Sequence, residues 1–141
     1  MPEKRAVERA KRDLRAGKRP STAAGEFVRE EMEHIREGKH GARSTKQAIA
    51  IGLSKARRVG VPLRPPATGQ TSERTREAAE RAYEVGQGKR APRSRSRKRS
   101  KSVSRALKRE GRSAASRRAL SAQARRGAAA RRGRKSASAR T

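Results

Sequence analysis

Residues 44–62 read STKQAIAIGLSKARRVGVP, and this stretch decides the fold of a chain whose formal net charge is +28. Ser44-Thr45-Lys46-Gln47 fits the S-x-x-Q capping box, in which side chains satisfy the free N–H groups at a helix start. Ile49, Leu53 and Ala56 then recur on one helical face, with Ala48 and Gly52 as small residues beside them. Gly60 and Pro62 end the element. A polycation that only coats a polyanion has no use for Ile49, Ile51 and Leu53 so close together. The stretch predicts a helix over 45–59 with one buried face.

Just upstream, STAAGEFVREEMEHIREGKHG (21–41) carries Phe27, Val28, Met32 and Ile35 on one side and Glu30, Glu31, Glu33 and Arg36 around the rest. Ser21 or Thr22 is suited to cap the start, and Gly38 and Gly41 to stop it, so a second helix is predicted over 22–37. Two helices joined by a short loop make an αα-hairpin, here spanning 21–61. Its core pairs Ile49, Ile51 and Leu53 with Phe27, Met32 and Ile35. That core is small, and the absence of cysteine removes disulfide staples. Dimerisation, docking of a neighbouring helix or a bound polyanion is expected to supply the rest. A homo-oligomer through Phe27, Met32, Ile35, Ile49 and Leu53 is one such arrangement.

Working outward, residues 1–20 form a basic arm or helix, with Val7, Ala10 and Leu14 in register and Gly17 just beyond. Residues 62–71 hold Pro62, Pro65 and Pro66 and read as a linker. Ser72 caps a short helix within 72–88 whose weak apolar face is Ala78, Ala79, Ala82 and Tyr83; the pattern leaves open whether it docks. Residues 89–141 are low-complexity in Arg, Ala and Ser. They carry 21 Lys or Arg against one acid, Glu110, and so hold +20 of the +28. Like-charge repulsion is expected to keep this tail open until phosphates neutralise it. The predicted fold is mostly α: a small helical hairpin, flanking weak helices and a long disordered basic C-terminal tail.

The tail is also the strongest functional signal. Dense cationic chains bind nucleic acid by releasing condensed counterions, which requires charge density rather than a particular fold. Arginine outnumbers lysine 30 to 11, and guanidinium grips phosphate through two parallel hydrogen bonds. The candidate phosphate-binding residues are Lys89, Arg90, Arg93, Arg95, Arg97, Lys98, Arg99, Lys101, Arg105, Lys108, Arg109, Arg112, Arg117, Arg118, Arg125, Arg126, Arg131, Arg132, Arg134 and Lys135. Gly17-Lys18-Arg19-Pro20 and Gly88-Lys89-Arg90-Ala91-Pro92 resemble minor-groove hooks, but in so Arg-rich a chain such matches arise by chance. The hairpin also admits a helix-turn-helix reading with Lys46–Arg58 as recognition helix, although its loop is longer than that motif's turn.

Other chemistry is weakly represented. Phe27 and Tyr83 are the only aromatic rings, too few for a base-stacking platform. His34 and His40 are spaced by six with Gly38 between them, and read as surface histidines rather than metal ligands. No nucleophile constellation, phosphate-cradling glycine loop or cofactor fingerprint occurs, so neither an enzyme nor a cofactor is expected. No apolar run spans a bilayer, and MPEKRAVERAKRDLRAGKRP lacks the apolar region of a secretory signal. A cytoplasmic protein is expected.

The segments Glu26-Phe27-Val28-Arg29-Glu30-Glu31, Ile35–Ser44 and Lys46-Gln47-Ala48-Ile49-Ala50-Ile51-Gly52-Leu53-Ser54-Lys55-Ala56-Arg57 together resemble a bacterial family. Its members are small basic proteins with a domain of unknown function, marked by KQAIAIGLS-x-AR. The resemblance covers about a quarter to a third of the chain. It implies a bacterial origin, a compact basic module and a cytoplasmic location, and transfers no functional residue. The tail resembles those of linker-histone-like bacterial proteins in composition only. A nonspecific DNA-binding, nucleoid-associated protein is the first expectation. An RNA- or ribosome-associated protein, or an adaptor using the hairpin, are the alternatives.

Overall fold

The structure is a computed structural model that describes residues 3–94 and 96–139. Among these it contains six α-helices: α1 (Lys4–Arg15), α2 (Pro20–Arg36), α3 (Thr45–Arg58), α4 (Glu73–Gly86), α5 (Arg97–Arg109) and α6 (Arg117–Ala139). A 3₁₀ turn at Ser113–Ala115 lies between the last two.

The hairpin of α2 and α3 is the centre of the molecule. α2 starts with Pro20 in its first turn and Arg19 as cap, ahead of the expected Ser21 or Thr22. Proline's fixed φ and missing N–H cost nothing in a first turn, and so carry the helix further back. At α3 the Ser44 hydroxyl accepts from the Gln47 N–H at 3.1 Å, as the capping box requires. The Gln47 amide oxygen reaches one residue further out, accepting from the Arg43 N–H at 2.7 Å.

Gly38, at φ +78°, ends α2 in a left-handed turn that a residue with a Cβ rarely adopts. Its N–H bonds to the Ile35 carbonyl at 3.1 Å and that of Lys39 to the His34 carbonyl at 3.0 Å, a Schellman closure. The same pair of bonds closes α1 at Gly17, α3 at Gly60 and α4 at Gly88.

The innermost line of α3 is Thr45, Ala48, Gly52 and Ala56 rather than Ile49, Ile51 and Leu53. A Cβ on Gly52 would lie 2.7 Å from the Val28 Cα, so the two backbones nearly touch. Close approach pushes Ile49, Ile51 and Leu53 to half-buried flanks. Two small clusters result. Phe27 packs with Ala6, Ala10, Ala24, Ala56 and Val61, flanked by Leu53. Met32 and Ile35 pack with Ala42, Ala48, Ala114 and Ala115, flanked by Ile49. Phe27 and Ile35 are fully enclosed within one chain, so they offer nothing to a second copy.

Neighbouring helices complete this core. α1 lies on α2 through Ala6 and Ala10, with Arg9 Nε 2.8 Å from Glu26. α4 docks on α3, burying Ala79 and Ala82. Its Gly86 meets the Arg57 carbonyl so closely that no Cβ fits, and Gln87 Nε2 donates to the Gly60 carbonyl at 3.2 Å. Arg57 is buried, its guanidinium donating to the carbonyls of Leu63 (3.1 Å) and Arg64 (3.3 Å). Those bonds hold the proline-containing segment against α3.

The expectation of a long disordered tail is overturned, because residues 97–109 and 117–139 are helices. The turn between them is part of the core: Ala114 and Ala115 are buried beside Met32 and Ile35. The Gly41 N–H bonds to the Leu107 carbonyl at 2.8 Å, the Ala42 N–H to that of Gly111 at 3.2 Å, and the Thr45 hydroxyl to that of Ala114. Helix nucleation, the costly step for a free peptide, is thereby met by tertiary contacts. The Ser116 hydroxyl then caps α6 through the Ala119 N–H at 3.1 Å. Beyond it, alanine and arginine propagate the helix well enough to outweigh like-charge repulsion.

Candidate nucleic-acid interface

The twenty candidate cations fall on three successive supports. Lys89, Arg90 and Arg93 lie on the exposed segment after α4, and Arg95 lies outside the described residues. Arg97, Lys98, Arg99, Lys101, Arg105, Lys108 and Arg109 stand on α5, which buries no residue. Arg112 opens the 3₁₀ turn, and Arg117, Arg118, Arg125, Arg126, Arg131, Arg132, Arg134 and Lys135 follow on α6, all exposed. Arg118, Arg125 and Arg132 recur every seven residues, which sets them in one row about 10 Å apart along the helix. Among the described residues, Arg90 is the only one of these cations with an ion pair, to Glu84 at 2.7 Å. The other described ones make no ion pair with a carboxylate.

At the base of α6 three arginines border one opening. Arg36, Arg112 and Arg117, with Ala115 and Ser116, line an open pocket of about 490 Å³. Arg36 is aimed there by its Nε, which donates to the Ala115 carbonyl at 3.3 Å. Arg36 belongs to the front half of the chain, and its role depends on docking across 79 residues of sequence. No local pattern could have singled it out.

The two hook-like segments are helix endings. Gly17 and Gly88 supply the left-handed turns after α1 and α4, Lys18 is held by Asp13 at 3.2 Å, and Arg90 by Glu84. α3, the candidate recognition helix, is packed on by α2, α4 and α6, and Lys55 is taken up by Glu31. Its exposed positions are Lys46, Ala50 and Arg58, a sparse basic face for groove reading.

His34 and His40 are not isolated surface side chains. The turn at Gly38 folds the chain back so that their rings meet edge to face, with centroids 5.9 Å apart. Beneath them Glu30 and Glu31 are 2% and 0% exposed. His40 Nε2 lies 3.1 Å from Glu31 Oε2, and His34 Nε2 lies 3.1 Å from Glu3 Oε1 and 4.0 Å from Glu30 Oε1. Hydrogen bonds from His34 and then Lys39 hold the exposed Glu3 carboxyl below its ordinary value. The sequence signal for this cluster, a histidine either side of a terminating glycine, is visible only once the left-handed turn is recognised.

Comparison with protein-family models, with curated proteins and with solved structures found no match to this chain. No helix among the described residues is long and apolar enough to cross a membrane. The candidate site therefore rests on its own geometry and charge.

Proposed function

We propose that this protein binds duplex DNA without sequence preference, gripping the phosphate backbone with α5 and α6, and that it acts by binding rather than catalysis. The observation that carries the reading is the display on α5 and α6 of fifteen exposed candidate cations, none of them ion-paired to a carboxylate. Order matters as well as charge. An α-helix fits the major groove of B-form DNA, whereas the major groove of an RNA duplex is too deep and narrow to admit one. At 1.5 Å per residue α6 is about 34 Å long, close to one turn of the duplex. No aromatic residue lies on α5 or α6, which argues against a single-strand stacking surface. On this reading the protein works in the cytoplasm, on the nucleoid.

Competition binding tests it. Unrelated duplexes of equal length should displace a labelled duplex within a few-fold of one another, because no set of base-edge contacts is built into these helices. Single strands and structured RNA should compete less well. A selected sequence motif would reject the nonspecific reading, and preferential competition by structured RNA would replace DNA with RNA as the ligand.

A further inference from the structure

We infer that Glu31, His34 and His40 form a binding site for a divalent transition-metal ion of the Zn²⁺ class, with Glu30 and Glu3 at its rim. Each of the three can bring one donor atom within 4.8 Å of the others, and Glu3, Glu30 and His34 make a second, overlapping set. Two imidazoles with carboxylates are a donor set suited to Zn²⁺ rather than Mg²⁺ or Ca²⁺. None of these five residues is among the candidate phosphate-binding cations.

The second observation is the state of the buried carboxylates. Glu30 Oε2 and Glu31 Oε2 are enclosed and have no hydrogen-bond partner, although the two side chains are almost wholly buried. Unsatisfied buried carboxylate oxygens are costly. His40 faces Glu31 Oε2 at 3.1 Å without forming a hydrogen bond to it. Its other nitrogen, Nδ1, lies 2.8 Å from the Gly41 carbonyl and donates to it, so Nε2 is the ring nitrogen that faces the carboxylate. A cation between Nε2 and Oε2, the ring's own proton or a metal ion, would satisfy both. Donor atoms around a Zn²⁺ ion bound at 2.0–2.2 Å sit about 3.3 Å apart, close to the 3.1 Å between His40 Nε2 and Glu31 Oε2. A histidine anchored by a backbone carbonyl through its second nitrogen is also the usual outer-sphere arrangement of a metal ligand.

Opposing charges are present and do not close the site. Lys55 from α3 occupies Glu31 Oε1 and leaves Oε2 facing His40. Lys39 is engaged by Glu3 at 3.4 Å and Glu37 at 3.3 Å. The ion would tie α2 to the returning loop, and Glu3 would bring in the start of α1. That is the staple a small cysteine-free core lacks. The loop it orders also carries Gly41 and Ala42, on which the C-terminal segment docks.

The test uses the full-length chain, stripped with a chelator and titrated with ZnCl₂, CoCl₂ or MgCl₂. One Zn²⁺ per chain should bind and raise the melting temperature, Mg²⁺ should do neither, and Co²⁺ should develop a visible d–d spectrum. His34→Ala and His40→Ala should each weaken Zn²⁺ binding more than about 100-fold, beyond the loss of an outer-sphere partner. The Co²⁺ spectrum and histidine ¹⁵N shifts of the unmutated protein decide the matter even if a variant fails to fold. No saturable Zn²⁺ binding, no Co²⁺ spectrum, or undiminished affinity in both histidine variants would overturn the site.

Discussion

Gly41 lies against the main chain of Glu110, so close that a Cβ at position 41 would overlap the Glu110 carbonyl oxygen. Only a hydrogen fits there, and the fit lets the Gly41 N–H reach the Leu107 carbonyl at 2.8 Å. The end of α5 is thereby fixed to the loop between the central helices.

Gly41→Ala should therefore undock the C-terminal segment. The expected cost is about 1–3 kcal/mol, the range for overpacking a filled site. Amide exchange at Gly41 and Ala42 should accelerate, while that of α1 and α2 stays slow. Unchanged protection at those two amides would show that this close approach does not hold the segment.

Two glycines on facing helices should respond with opposite signs. Gly25, within α2, has open space where a methyl would stand, so Gly25→Ala should stabilise by about 0.5–1 kcal/mol through backbone entropy. Gly52→Ala places a methyl 2.7 Å from the Val28 Cα and should destabilise by forcing α2 and α3 apart. Thermal melts of the two variants check the pair, and a stabilising Gly52→Ala would refute the close hairpin.

Arg57 offers a test of the linker's anchorage. Burial lowers its guanidinium below the ordinary value, and its acceptors are two backbone carbonyls rather than a carboxylate. Arg57→Ala should cost about 1.5–3 kcal/mol, the scale for hydrogen bonds to charged groups. Arg57→Lys should recover only part, because an ammonium lacks the fork that spans both carbonyls. Urea unfolding midpoints measure both, and full recovery by lysine would contradict the two-acceptor geometry.

The central helices were legible because Phe27, Met32 and Ile35 recur at helical spacing and Ser44 and Gly38 mark the ends. The small residues of α3 mattered more than their size suggested. Gly52 and Ala48 set the helix separation, and a hydropathy pattern gives them little weight. The ordered C-terminal region was not legible. Its anchors, Ala114 and Ala115, sit in a run where alanine is common, and their partners lie some 70 residues away in Thr45 and Ala42. Charge alone points to disorder, while the contacts that dock the start of α6, beside the local Ser116 cap, are tertiary. The cations were legible as a group, but their arrangement on α5 and α6 required the structure.

Truncation is informative only if it respects that core. A chain ending at residue 88 loses Ala114 and Ala115 and should lose stability together with binding. A chain ending at residue 123 keeps the 3₁₀ turn and Leu120, which packs on the second cluster, and removes Arg125, Arg126, Arg131, Arg132, Arg134 and Lys135. It should melt near the full-length protein yet bind duplex DNA at least about tenfold more weakly at moderate salt. Equal loss of stability in both truncations would contradict this division of roles.

The salt dependence of duplex affinity tests the proposed function most directly. If α5 and α6 together engage about ten phosphates, log K should fall against log salt with a slope of about −9 for the full-length chain. The chain ending at residue 123 should give a shallower slope, by about 0.9 for each phosphate it no longer engages. A shallow slope for the intact protein, or an identical slope for both chains, would contradict backbone binding through these helices.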